Sequence, residues 1–158
     1  MADLLMKMPV PYEPKRKNRF ILKFPSDLGI AEWIVSSASR PSISINEVEI
    51  PFMNTKTYVA GSFQWETIDV TFRDPIAPSS SQALMEWVRL HAESVTGRMG
   101  YAAGYKKKVE IFMLDPTGAI VESWELRGTF LTNVNFGDLD YSGDVSATLR
   151  FDRAILKY

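Results

Sequence analysis

Cysteine is absent from the 158 residues, which excludes a disulfide framework and a thiolate metal site. Histidine occurs once, at position 91, so no histidine cluster can hold zinc. No apolar run approaches the roughly 18 residues of a membrane-spanning helix. An excess of either charge is also missing. The 18 Lys and Arg face 19 Asp and Glu, a net charge of −1, which argues against general attraction to nucleic acid or an anionic membrane. The N-terminal MADLLMKMPVPYEPKRKNR makes a poor secretory leader: its apolar run is short, Asp3 sits where positive charge belongs, and Pro9 and Pro11 interrupt it. What remains is ordinary globular composition, in a chain long enough for one domain with a core.

Residues 1–18 carry Pro9, Pro11 and Pro14 ahead of Lys15, Arg16 and Lys17, and read as an extended arm before a single domain over 19–158. From residue 19 the signal is alternation. Phe20, Leu22 and Phe24 share one face, with Arg19, Ile21 and Lys23 on the other, as in a half-buried strand. EWIVSSAS (32–39) and ISINEVEI (43–50) are strand-like. In 63–73, Ile68, Val70 and Phe72 alternate with Thr67, Asp69, Thr71 and Arg73, until the prolines of DPIAP end the pattern. Ser79 followed by Gln82 is a capping-box start for a helix over 79–94, whose stripe is Leu84, Trp87, Val88 and His91. Asp115-Pro116-Thr117-Gly118 turns one strand into the next. The last stretch sets Val145, Ala147, Leu149 and Phe151 against Ser146, Thr148, Arg150 and Asp152. The fold expected is mainly β: two packed antiparallel sheets, sandwich- or barrel-like, with one α-helix.

One segment resists this pattern. IPFMNTKTYVAGS, residues 50–62, is apolar enough to be buried but has neither helical nor clean strand spacing. Chemistry is equally hard to place. His91 lies beside Trp87 on the helix stripe, as a half-buried structural histidine would. The serines at 79–81 lack a G-x-S-x-G setting. GYAAGYKKK lacks the GK[ST] ending of a phosphate loop, and its lysines 106–108 read as a solvated strand entry. Asp138, Asp140 and Asp144 lack the EF-hand glycine and terminal glutamate. Trp33, Trp65, Trp87 and Trp124 are scattered as core or interface anchors. No catalytic residue, metal site or cofactor is expected.

FMNTKTYVAG (52–61), followed by the alternating WETIDVTFRD, resembles the tail tube proteins of contractile-tailed bacteriophages. A second patch agrees: Gly128, Thr132-Asn133-Val134, then Leu139-Asp140-Tyr141 and a terminal strand. The likeness runs loosely over 45–158. Leu131 stands where a proline is expected, and the turn at Phe136–Asp138 differs, which leaves tube, tube initiator and baseplate adaptor open. The resemblance implies hexameric rings stacked head to tail around a channel. It makes Pro51, Phe52, Met53, Asn54, Lys56, Tyr58, Val59, Ala60 and Gly61 an inter-subunit or inter-ring contact. It implies as partners further copies of the chain, tail sheath, tape-measure, baseplate and tail-terminator proteins, and DNA in transit without specific binding. The protein would belong to a virion tail, assembled in the bacterial host cytoplasm, with no membrane insertion of its own. If each of six subunits gives four strands to a common barrel, about 24 strands at ~4.8 Å spacing and ~40° tilt close at a backbone diameter of about 48 Å. That leaves roughly 38 Å inside the side chains, wide enough for duplex DNA. Candidate channel-facing residues are Thr67, Asp69, Thr71, Ser146, Thr148 and Asp152, with Arg73 and Arg150 expected at strand ends or in pairs with acids. Competing readings are a secreted ring protein of a tail-derived injection system, a small β-barrel holding an apolar ligand, and an OB-like nucleic-acid binder, which the charge balance disfavours.

Overall fold

Period-two alternation decides most of the architecture. The structure, a computed structural model, describes residues 13–76, 79–139 and 144–157. The strands are β1 (Phe20–Lys23), β2 (Val35–Ala38), β3 (Ile43–Phe52), β4 (Thr55–Trp65), β5 (Ile68–Arg73), β6 (Lys107–Leu114), β7 (Ile120–Asn135), β8 (Asp144–Arg150) and β9 (Arg153–Leu156). The helices are α1 (Ser80–His91) and the four-residue α2 (Ala102–Tyr105). All pairings are antiparallel. The 16-residue β7 is shared by two sheets: its first part lies between β6 and β9, with β1 beyond β6, and its last part pairs with β8, followed by β5 and β2. Gly128, at a φ of 69°, lies between the two parts, where an added Cβ would collide with the Asp152 carboxylate.

Between the sheets lies one core. Leu22, Val109, Ile111 and Leu126 enter from the first sheet, and Ile68, Val70, Phe72, Val145, Ala147 and Leu149 from the second. These are the apolar faces that alternation marks on β1, β5 and β8. From α1, Leu84 and Trp87 join the cluster, and Phe24 packs on Phe72 and Trp87 at ring separations of 5.8 and 6.1 Å. The buried Trp87 indole donates to the Tyr105 carbonyl at 2.8 Å, so its polar atom is satisfied. Ser79 caps α1 as expected, accepting from the Gln82 amide. Asp74 extends the cap by accepting from the hydroxyls of Ser79, Ser80 and Ser81.

The structure corrects three readings. Glu32–Ile34 is a 3-10 turn, and the strand begins only at Val35. The terminal stretch is two strands: β8 ends at Arg150, and β9 turns back onto Trp124–Arg127 of β7. Of the tryptophans expected as core or interface anchors, Trp87 is buried and Trp33 is 60% exposed. Above all, 50–62 is regular strand. β3 and β4 form a separate two-stranded ribbon, turned at Met53-Asn54. Every residue of β3 is exposed, and in β4 only Gly61 and Trp65 are even partly covered. The sheets do not close into a barrel. Of the regions singled out in the sequence, arm residues 1–12 and Asp140 and Tyr141 of the second patch lie outside the described residues.

Candidate assembly surfaces

The ribbon is the first surface. Its exposed apolar residues are Ile43, Ile45, Val48, Ile50, Phe52, Met53, Tyr58, Val59 and Phe63, with Phe52 at 68% and Met53 at 90%. A hairpin this apolar has no ordinary reason to face water. Its root is tied down by Trp65, which meets Phe151 at 6.0 Å between ring centres. Lys56 and Glu49 form an ion pair at 2.9 Å across the ribbon. Pro51, Phe52, Met53, Asn54, Lys56, Tyr58, Val59, Ala60 and Gly61 therefore share one projecting element.

The second surface is the outer face of β2-β5-β8-β7. Cross-strand partners point to the same side. Thr71 opposes Ser37 and Ser146, Asp69 opposes Thr148, and Asn133 and Asn135 continue the rows on β7. Thr148 donates to Asp69 at 2.9 Å, and Thr132 donates to the Thr148 carbonyl at 3.2 Å. The structure thus brings together Asp69, Thr71, Ser146 and Thr148 and adds Ser37, Asn133 and Asn135. Those three were missed because β2 and the end of β7 carry little alternation; their small polar side chains were the available signal. Two candidates lie outside its strands. Thr67 lies between β4 and β5, and Asp152 sits in the β8–β9 turn, paired with Lys106 at 3.0 Å. Arg73 and Arg150 are the last residues of their strands.

Both lateral edges of this polar sheet are open among the described residues. β2 pairs only with β5, and Leu131–Asn135 of β7 pair only with β8. Beside that β7 edge runs a groove of about 520 Å³, lined by Met85, Val88 and His91 of α1 and by Phe130, Leu131, Val134 and Phe136 among others. His91 stacks edge-on against Tyr105 at 4.6 Å, and its Nδ1 has no hydrogen-bond partner among the described residues.

The remaining charges hold the fold. Lys106, Lys107 and Lys108 pair with Asp152, Asp27 and Glu110, as a strand entry would. Glu122 is buried, with Lys15 at 2.7 Å, Arg40 at 3.5 Å and the Trp124 indole. Burial raises its pKa, but the bonds from Lys15 and Trp124 and the two cations outweigh burial and leave it below the ordinary value. Hydrogen bonds from Lys157 and Arg127 lower Glu125 to about 2.

No family model and no curated protein matches the chain. Solved structures do. A chain of the anti-feeding prophage tube-terminating cap superposes with a TM-score of 0.69 at 21% identity, covering 99% of both chains. The fold is that of a tail-tube-type protein. A chain of the sheath–tube complex of PVC, an extracellular contractile injection system, gives 0.64 at 17% identity over 99% of this chain and 96% of its own. Hcp1 from E. coli EAEC 042 gives 0.51 at 16% identity over 89% and 91%. At these identities the likeness is one of fold.

Proposed function

We propose that the chain is a structural subunit of a tail tube, forming hexameric rings that stack around a channel. One observation carries this reading: a four-stranded sheet with a small-polar outer face and two open edges. Joining the β2 edge of one copy to the β7 edge of the next removes both edges, as a closed barrel does. Such a head-to-tail contact closes into a ring when the rotation allows. Six copies supply about 24 strands and a backbone diameter of about 48 Å. The ribbon, at 50–62, is the inter-subunit or inter-ring contact, and the polar face of Asp69, Thr71, Ser146 and Thr148 lines the channel. The partners are sheath, tape-measure, baseplate and tail-terminator proteins, with DNA passing unbound, in a particle assembled in the bacterial cytoplasm. Sheath–tube and baseplate assemblies among the structures of like fold support the sheath and the baseplate as partners. A tube initiator, a baseplate paralogue or a secreted ring is the nearest alternative, the last favoured by a likeness of fold to a type six secretion system protein, at a TM-score of 0.52 and 8% identity. The apolar-ligand barrel loses its basis, since the sheets do not close and the space between them is filled by the core. Electron microscopy of the purified protein tests the reading: rings or tubes support it, and a monomer at all concentrations and salts contradicts it.

A further inference from the structure

Glu122 is one acid shared by two cations from separate parts of the chain. Its side chain is 6% exposed, opposite the buried Met113 of β6. Lys15, ahead of β1, lies 2.7 Å from Oε2. Arg40, in the loop that leads from β2 into the ribbon, lies 3.5 Å from Oε1, and the Trp124 indole donates to that same oxygen at 2.6 Å. A charged hydrogen bond closes to about 2.7–2.9 Å, so Arg40 stands ~0.7 Å short of full contact. Lys15 holds the carboxylate, and Arg40 waits beside it.

The two cations are tied down differently. Among the described residues, no backbone hydrogen bond joins 13–15 to the body, and the ion pairs of this segment are Glu13 with Arg19 at 3.6 Å and Lys15 with Glu122. The loop of Arg40 is fixed on both sides. The Ser39 amide donates to the Asp69 carbonyl at 3.1 Å, and the Glu66 amide donates to the Ser42 carbonyl at 3.0 Å. The arm can leave, whereas the loop can only adjust. Room for that adjustment exists: Ser39 and Arg40 border a cavity of about 280 Å³ lined also by Phe20, Ile111 and Met113. Close packing therefore does not lock the guanidinium in place.

We propose that Glu122 is an exchangeable anchor, held by Lys15 while residues 13–15 lie on the body and taken over by Arg40 when they leave. The reason is the cost of a buried charge. A covered carboxylate stripped of its cations destabilises the fold by more than either pair contributes. Once Lys15 has gone to solvent, Arg40 is the remaining cation beside it, and its forked donors need advance only ~0.7 Å to bond it fully. The exchange keeps the fold intact, which is what makes the arm releasable. It also moves the loop. Arg40 draws Ser39–Ser42 towards β7, and β3 begins at Ile43. A partner that takes up the arm is thereby felt at the root of the ribbon. All parts of this device lie within one chain, so it operates in a monomer as well as in a ring.

The test is a double-mutant cycle in the full chain. Lys15→Met and Arg40→Met each leave one cation on Glu122 and should shift the urea midpoint little. The double variant buries the carboxylate without a cation, and its unfolding constant should rise roughly tenfold or more beyond the product of the single effects. With Glu122→Gln as background the same two substitutions should be additive. Additive effects with Glu122 present overturn the shared anchor. A second readout separates an exchange from a static ion pair. By NMR of the Lys15→Met chain, the Arg40 guanidinium protons should exchange with water several-fold more slowly than in the parent. The Trp124 indole resonance should shift while those of Trp33, Trp65 and Trp87 stay. Trypsin should also cut this variant after Arg16 and Lys17 several-fold faster than the parent. Unchanged Arg40 exchange, or unchanged cleavage of the arm, overturns the hand-over whatever the cycle gives. Should the double variant fail to fold, Lys15→Met decides alone through these readouts.

Discussion

Met53 is the only non-glycine residue among the described residues with a positive φ, at 51°. That conformation costs a β-carbon residue about 1 kcal/mol or more. The side chain recovers nothing within the subunit, being 90% exposed. The two-residue hairpin turn demands that φ, so what the monomer leaves unexplained is only the choice of Met over Gly at this position. Met53→Gly should therefore stabilise the isolated subunit by about 0.5–1 kcal/mol in urea unfolding while weakening tube formation. Destabilisation of the monomer would show that the methionine serves its own chain. Glu125 makes a second prediction at this scale. Its side chain is covered by Lys157 and Arg127, with Lys108 nearby, and its pKa falls from 4.5 to about 2. A carboxyl depressed in the folded state adds stability that is complete above the unfolded pKa and is lost as pH falls through the folded one. The contribution should therefore disappear between about pH 4.5 and about pH 2. Glu125→Gln should flatten the stability profile in that window, and an unchanged profile would assign the acid sensitivity elsewhere.

At the scale of elements, core strands and ribbon should answer substitution in opposite ways. Ile68→Ala or Leu149→Ala removes a fully buried side chain and should cost about 2–5 kcal/mol of subunit stability. Phe52→Ala with Met53→Ala should cost the monomer under ~0.5 kcal/mol yet abolish stacking. Equal loss of monomer stability in both would make the ribbon part of the fold. The same contrast explains what could be read from the residues. On β5 and β8 one face meets the core and the other water, so alternation is clean, and both strands and the shared polar face of Asp69, Thr71, Ser146 and Thr148 were legible. α1 and the Asp115–Gly118 turn were legible from cap and turn chemistry. The ribbon was not, because alternation reports burial against the chain's own core, and the ribbon touches that core only at Trp65. On β3 the apolar positions also change phase, from Ile43 and Ile45 to Val48, Ile50 and Phe52, and on β4 a bulge at Gly61–Ser62 opposite Asn46 breaks the alternation, so a strand reads as irregular. Gly61 belongs to that bulge: an added Cβ would lie 3.0 Å from Val48 and 3.1 Å from the Asn46 carbonyl. Asp152 was misplaced because the alternation of β8 runs past Arg150 through Phe151, hiding the turn into β9.

For the whole molecule, on the proposed tube reading, the decisive property is what a repeated wall does to a polyanion. Duplex DNA carries one charge per ~1.7 Å, and each cationic contact adds salt-dependent affinity. Around a ring and along a stack, even ~0.5 kcal/mol per site accumulates into a trap. The outer face of β2-β5-β8-β7 avoids this: Ser37, Thr71, Ser146, Thr148, Asn133 and Asn135 are neutral, and Asp69 is acidic. The arginines at the ends of β5 and β8 lie at the rims of the sheet rather than within it. Thr71→Lys with Thr148→Lys should convert the wall. The second lysine falls beside Asp69 and neutralises it, since Thr148 already bonds that carboxylate, and the first remains as a free cation. Assembled variant tubes should then retain linear duplex DNA at about 50 mM salt and release it towards about 200 mM, while parent tubes retain little at either. Retention by parent tubes would mean that this face does not line the channel or that the channel is built to hold its cargo. Variant tubes of normal form with no salt-dependent retention would place the β5–β8 face outside the bore, and the ring would have to close through other edges.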